Sequence, residues 1–208
     1  MIKAVLFDFD MTLVDSSYAI TEAMNAVAVM EGLKTVSRKE VLTVIGLPMK
    51  QSWETLWGAF DPRWTEEYRD NFKKGEYAGI KPFPNTFASL GKLKDMGISL
   101  GVASNRAKVK DVLDATGLSG YFKCMIGILD VEKPKPDPDM ILKGLDLLKA
   151  TKEETLYVGD TDADVISARA AGVRGIGMTT GNFDSGSLMK AGAWKTFSDL
   201  KEILTLFP

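Results

Sequence analysis

The sequence predicts an α/β fold: a doubly wound, Rossmann-like parallel sheet with an inserted helical domain. Three observations predict it. Short apolar runs are typical of buried parallel strands, and amphipathic helical patterns separate most of them. One long helical stretch interrupts this alternation. Alternating strands and helices indicate a sheet covered by helices, and 208 residues are enough for such a core.

Five apolar runs are the predicted strands. Each is short and ends at polar or turn-forming residues, as expected for strands buried on both faces. In chain order the runs are KAVLFDF, ISLGVAS, CMIGI, TLYVG and RGIGMT.

Four amphipathic stretches between these runs are the predicted core helices. They are NTFASLGKLKDMG, AKVKDVLDATG, DPDMILKGLDLLKA and DADVISARAAG. Three of them close on Gly97, Gly117 and Gly172, because glycine is the residue that most often ends a helix in the left-handed conformation.

Residues 15–81 carry four helical patterns in succession, directly after the first strand. We therefore predict a core domain formed by residues 1–14 and 82–208, and a helical domain inserted at 15–81. Trp53, Trp57 and Trp64 fall in the insert, where aromatic side chains are expected to pack a small bundle.

Composition excludes several kinds of protein. The chain has no histidine and one cysteine, so a Ser-His-Asp triad, a Cys-His pair, a histidine-ligated zinc site and an internal disulfide are all excluded. No arginine follows Cys124 closely, which argues against a cysteine phosphatase, and we expect this thiol to be buried. The net charge of −2 argues against nucleic-acid binding. No apolar run is long enough to span a membrane, and we expect a cytoplasmic protein.

Polar residues follow four of the predicted strands. Because ligands of open parallel sheets bind beyond the carboxyl ends of the strands, we expect these side chains to face one site. Each of these short polar segments alone is typical of an ordinary turn. Their convergence at one edge of the sheet indicates a functional site. In chain order they are Asp8 and Asp10, Ser104 and Asn105, Lys133 and Lys135, and Asp160, Asp162 and Asp164.

The clustered carboxylates predict a metal ion. Several carboxylates at one sheet edge repel each other unless a cation compensates them, and oxygen donors without histidine or cysteine favour Mg²⁺. We expect Asp8, the main-chain carbonyl of Asp10, and Asp160 to hold it.

Phosphoryl transfer through a carboxylate fits this set of residues. Asp8 would attack phosphorus, and Asp10, two residues further and on the same side of an extended chain, would act as acid and base. Ser104 and a lysine would bind the phosphoryl oxygens.

DFDMT, VASN, KPDP and GDTDAD resemble, in order and spacing, the four motifs of the haloacid dehalogenase superfamily. The helical insert resembles its C1 cap, and DFDMTLVDS with KPDPDMIL is similar to the phosphoglycolate phosphatase-like branch. The resemblance implies that Asp8 is the nucleophile, Asp10 the acid/base and Ser104 the phosphoryl-binding hydroxyl. It implies metal binding by Asp160, supported by Asp164.

The motif lysine has two candidates. Lys135 is favoured because PDPDMIL after it keeps the family spacing into the next helix, and Lys133 is the alternative. Substrate binding is assigned to Ser104, Asn105 and this lysine. One position departs from the family: Met11 replaces the usual glycine, which predicts an ordinary backbone conformation and a side chain near the pocket mouth.

The expected activity is Mg²⁺-dependent hydrolysis of a small phosphorylated metabolite, with phosphoglycolate as the leading substrate. A sugar-phosphate mutase, a pyrophosphatase and a non-catalytic binding module are alternatives; a dehalogenase is disfavoured by Asp10. Specificity would reside in the cap, where a loop containing Pro48 could place Lys50 to bind a substrate carboxylate. The protein could be a monomer or a homodimer.

Overall fold

The computed structural model describes residues 1–74 and 77–207. Its chain divides into two compact units, Met1–Val14 with Pro82–Pro208, and Asp15–Lys81. Among the described residues, no helix is both long enough and apolar enough to cross a membrane.

The first unit is built on a six-stranded sheet in the order β5-β4-β1-β6-β7-β8, with all assigned pairs parallel. Short strands β2 and β3 form a separate two-stranded sheet. The doubly wound parallel sheet predicted from the sequence is confirmed. The strands are β1 Ala4–Phe7, β2 Val14–Asp15, β3 Lys81–Pro82, β4 Ser99–Ala103, β5 Cys124–Ile126, β6 Thr155–Gly159, β7 Arg174–Met178 and β8 Lys195–Phe197.

Strand β1 is the point at which the strand order reverses. Ala4 pairs with Ser99 of β4 on one side and with Thr155 of β6 on the other. All four β1 residues are buried, as their apolar run predicts. Ligands of such sheets bind at this switch point, so the residues that follow β1, β4 and β6 lie where a site is expected.

Strand β8 was not predicted, because three residues are too few to show a periodic pattern.

The four predicted core helices lie where the amphipathic patterns place them, and a further short helix, Ser185–Ala191, was not predicted. Gly97, Gly117 and Gly172 all have positive φ, at +77°, +72° and +74°, as the predicted helix-ending positions require. The helices of this unit are α5 Thr86–Asp95, α6 Val109–Ala115, α7 Asp139–Leu148, α8 Asp162–Ala171 and α9 Ser185–Ala191.

Within its described residues, 15–74 and 77–81, the second unit contains four helices. Trp53 is fully buried, and its ring centroid lies 5.0 Å from Trp57, 5.7 Å from Trp64 and 6.2 Å from Tyr68. The predicted tryptophan packing is confirmed; the role of this unit as a cap stays a prediction. The fourth predicted helical pattern also covers residues 75 and 76, which lie outside the described residues. The helices are α1 Ser17–Met30, α2 Arg38–Leu42, α3 Met49–Trp57 and α4 Pro62–Lys74.

Candidate active site

Asp8 lies directly after β1 and is buried. Its main-chain N–H donates to the Val158 carbonyl over 2.8 Å, which continues the β1–β6 ladder by one residue. The apolar strand therefore delivers a carboxylate to the sheet edge with its backbone already hydrogen-bonded.

Lys135 reaches Asp8 from the loop between β5 and α7. Its ammonium group lies 2.7 Å from Asp8 Oδ1, 2.6 Å from Asp164 Oδ1 and 2.9 Å from the Tyr157 hydroxyl. The Lys135 side chain is only 4% exposed. Lys133, the alternative motif lysine, is exposed.

Asp160 and Asp164 enter the site from the β6–α8 junction. Asp164 is the third residue of α8, and its Oδ2 accepts hydrogen bonds from the Thr161 N–H and hydroxyl at 3.0 and 2.6 Å. This capping box orients the Asp164 carboxylate. Asp160 Oδ1 accepts a hydrogen bond from the Thr12 hydroxyl over 3.1 Å, which links it to the segment after β1.

Asp8, Asp160 and Asp164 could hold a metal ion. Each is buried, and one carboxylate oxygen from each lies within 4.8 Å of the other two. Lys135 supplies one positive charge against three carboxylates, so ionised carboxylates leave two negative charges that a divalent cation would balance. A Cβ atom at Gly159 or Gly181 would collide with Asp164 or Asp160, respectively, so glycine at both positions leaves room for these carboxylates.

In the absence of a cation, burial and the neighbouring carboxylates disfavour the ionisation of Asp8 and Asp160. Burial raises the pKa of Asp8 to about 6, helped by Asp164 and Asp10 and opposed by Lys135. Burial, with Asp164 and Asp8 nearby, raises the pKa of Asp160 well above its usual range. Burial alone would lower the pKa of Lys135, but Asp164 and Asp8 outweigh it and raise that pKa well above its ordinary value, so the ammonium stays charged.

The carboxylate of Asp10 is held by Arg106. Arg106 Nη2 lies 2.6 Å from Oδ1 and Nε lies 3.0 Å from Oδ2, so both carboxylate oxygens are bound. The guanidinium also lies over the Phe9 ring at 5.7 Å. Sequence reasoning missed Arg106, although the signal was present: a basic residue stands directly after VASN, two positions after Ser104.

Ser104 and Asn105 follow β4 as predicted. Ser104 is buried, and its N–H donates to the Ile126 carbonyl over 3.0 Å. The Asn105 side chain contacts the main chain of Lys135, donating to the carbonyl and accepting from the N–H, both at 3.1 Å. Its role in substrate binding stays a prediction. The amide matches the donor and acceptor of that loop backbone, so it fixes the loop that carries the lysine.

The prediction for Met11 was wrong. Met11 has φ of +56°, in the left-handed region, and its side chain is 2% exposed. The turn after Asp10 therefore keeps the conformation that glycine would favour, and burial of the methionine side chain compensates the backbone strain.

Lys50 is the second residue of α3, directly after the loop that contains Pro48. Its side chain is 66% exposed, and Nζ lies 3.8 Å from Glu54 Oε1 one helical turn later. Pro48 stands immediately before this helix, because a proline ring is well accommodated at a helix start. A role for Lys50 in substrate binding stays a prediction.

The comparisons with known proteins agree with this geometry. A family model described as haloacid dehalogenase-like hydrolase matches residues 5–178. A phosphoglycolate phosphatase from Aquifex aeolicus is 33% identical over 83% of this chain and 82% of its own. A pyrophosphatase PpaX from Anoxybacillus flavithermus is 31% identical over 85% of this chain and 83% of its own.

A solved structure is similar along its whole length. A protein from Bacteroides fragilis, described as a haloacid dehalogenase-like hydrolase, is 31% identical and superimposes with a TM-score of 0.87. The match covers 98% of this chain and 100% of that one.

Proposed function

Because the chain belongs to the haloacid dehalogenase-like hydrolase family, we propose that it is a Mg²⁺-dependent phosphatase that forms a covalent aspartyl-phosphate on Asp8. The observation that carries this proposal is the buried contact of Asp8 with Lys135 beside Asp160 and Asp164. A carboxylate with an adjacent fixed ammonium suits attack on a phosphate ester, because both the nucleophile and the phosphoryl oxygens are anionic.

In the first step, an Asp8 carboxylate oxygen forms a bond to phosphorus while the bond between phosphorus and the leaving oxygen breaks. Asp10 donates a proton to that leaving oxygen. Lys135 and the Ser104 hydroxyl stabilise the negative charge on the phosphoryl oxygens.

In the second step, Asp10 takes a proton from water as the water oxygen bonds to phosphorus. The bond between phosphorus and Asp8 then breaks, which releases inorganic phosphate and restores the Asp8 carboxylate. A bound Mg²⁺ would supply charge neutralisation for the carboxylates and the phosphoryl group. We assign Asp8, the main-chain carbonyl of Asp10, and Asp160 as its ligands, with Asp164 in support.

For the substrate, we propose a small phosphate ester such as phosphoglycolate. The name of the Aquifex aeolicus relative supports this choice. Pyrophosphate is the second candidate, because the Anoxybacillus flavithermus relative is named a pyrophosphatase. A mutase is the remaining alternative on this fold.

The test is turnover of p-nitrophenyl phosphate, phosphoglycolate, pyrophosphate and a sugar 1-phosphate with Mg²⁺, in parallel with Asp8→Asn as the matched inactive variant. Inorganic phosphate should form, Asp8→Asn should form none, and borohydride reduction during turnover should convert Asp8 to homoserine. Asp8→Asn activity within about tenfold of the wild type, or trapping at another residue, would contradict the covalent mechanism. Conversion of the sugar 1-phosphate to its isomer without phosphate release would identify a mutase.

A further inference from the structure

The Tyr157 hydroxyl lies in the middle of the candidate active site, although no motif that predicts the site includes it. Tyr157 belongs to β6 and is fully buried. Its hydroxyl oxygen lies 2.9 Å from Lys135 Nζ, 3.0 Å from Asp164 Oδ1 and 2.9 Å from the Ala103 carbonyl oxygen.

The contacts of Lys135 explain why this hydroxyl matters. A lysine ammonium has three N–H donors and no acceptor. Lys135 has three close acceptors: Asp8 Oδ1 at 2.7 Å, Asp164 Oδ1 at 2.6 Å and the Tyr157 oxygen at 2.9 Å. Each donor therefore has one partner, and a 4% exposed side chain leaves little room for water to replace any of them. A buried charged donor without a partner is destabilised.

The Tyr157 hydroxyl also contacts groups on β4 and α8. The oxygen accepts from Lys135, so its proton is directed to one of its other two neighbours, the Ala103 carbonyl or Asp164 Oδ1. Ala103 is the last residue of β4, directly before Ser104. Tyr157 therefore joins the lysine, the α8 carboxylate and the strand that carries the predicted phosphoryl-binding serine.

We propose that Tyr157 is a positioning residue. Its hydroxyl holds the Lys135 ammonium against Asp8 and at a fixed position relative to the end of β4. The proposal rests on the proposed phosphatase function, because it assigns Tyr157 to the same reaction. Tyr157 does not contact the substrate; it acts through Lys135.

The test is Tyr157→Phe, which removes one oxygen and keeps the buried ring. Tyr121→Phe is the matched control, because the Tyr121 ring contacts Phe87 and Lys94. We expect Tyr157→Phe to lower kcat about 10- to 100-fold, the range typical of residues that orient a ligand-binding group. The factor should be the same for p-nitrophenyl phosphate and for an alkyl phosphate, and KM should change little. Tyr121→Phe should match the wild type.

A double-mutant cycle separates positioning from a general structural effect. In the Lys135→Met background, Tyr157→Phe should leave the residual kcat unchanged, because the ammonium that the hydroxyl holds is gone. The urea midpoint should fall less than in the wild-type background, because only the hydroxyl contacts with Ala103 and Asp164 are then lost. A full kcat in Tyr157→Phe, or an equal further loss in the Lys135→Met background, would overturn the proposal. If the wild type shows no phosphatase activity, the proposed function fails, and the urea midpoints alone still decide whether Tyr157 and Lys135 are coupled.

Discussion

Arg106 binds both carboxylate oxygens of Asp10, with Nη2–Oδ1 of 2.6 Å and Nε–Oδ2 of 3.0 Å. A two-point contact between guanidinium and carboxylate fixes the plane of the carboxylate as well as its position. Both side chains are largely buried, at 14% and 15% exposed, so solvent competes weakly for the pair. Two carboxylates that stand two residues apart therefore have different partners: Lys135 for Asp8 and Arg106 for Asp10.

Asp10→Asn should selectively impair esters with poor leaving groups. General acid catalysis contributes about 10²- to 10⁴-fold, and an alkyl alcohol needs the proton more than nitrophenol does. We expect a large loss of kcat/KM for phosphoglycolate and a smaller one for p-nitrophenyl phosphate. Stopped-flow measurements with the nitrophenyl ester should show a burst, because water activation also slows. Equal losses in kcat/KM for the two esters and no burst would exclude the acid/base role.

Arg106→Gln should reproduce the selectivity of Asp10→Asn in weaker form, because it leaves the carboxylate present but without its bidentate partner. Arg106→Lys should be intermediate, since an ammonium cannot bind both oxygens in the same fixed geometry. Arg174→Gln is the matched control, because Arg174 lies over the Trp194 ring at 4.7 Å. The measurement is kcat/KM on both esters, and a loss that does not depend on the leaving group would show that Arg106 does not act through Asp10.

Asp8 should make the metal-free protein less stable as the pH rises. Burial raises its pKa from 3.8 to about 6 in the fold. A carboxyl group whose pKa is higher in the folded than in the unfolded protein stabilises the fold while it is protonated. This contribution is lost as the pH rises from the pKa of the unfolded protein through that of the folded protein. The expected loss in the free energy of unfolding between pH 4 and 7 is about 2 kcal/mol.

Urea unfolding in EDTA, with Asp8→Asn beside the wild type, isolates this contribution. The variant should gain stability relative to the wild type as the pH rises from 4 to 7. Mg²⁺ should restore the stability of the wild type at pH 7 and have little effect on it at pH 4, because protonated carboxyl groups are poor ligands. A stability difference that is independent of pH would contradict the raised pKa of Asp8.

Metal removal should abolish activity. Asp8, Asp160 and Asp164 offer only oxygen donors, so EDTA should inactivate the protein and Mg²⁺ should reactivate it. Ca²⁺ should bind but support little turnover, because it accepts a larger and less regular oxygen shell. Asp160→Asn should raise the Mg²⁺ concentration needed for half-maximal activity, whereas Asp162→Asn, an exposed neighbour, should not. Full turnover in a verified metal-free sample would refute this assignment.

The sequence was sufficient for the parts of the site that follow a strand directly. Asp8 and Asp160 lie where apolar runs end, and the topology of a parallel sheet brings those ends together. The same reasoning could not find Tyr157, because an aromatic residue in the middle of an apolar strand is usually core packing, and only coordinates show that its hydroxyl meets Lys135. It could not find the backbone conformation at Met11, because methionine rarely adopts positive φ and the turn imposes it here.

The exposed ammonium of Lys50 is suited to binding an anionic group of the substrate. Lys50→Ala should lower kcat/KM for phosphoglycolate by the equivalent of about 1.5–3 kcal/mol, the range for a hydrogen bond to a charged group. It should have little effect on p-nitrophenyl phosphate, which has no carboxylate. Glu54→Gln is the matched control, since it removes the helical neighbour at 3.8 Å and keeps the lysine. Equal changes for both substrates in Lys50→Ala would reject Lys50 as a specificity residue, because a residue that binds the carboxylate cannot affect an ester that lacks one.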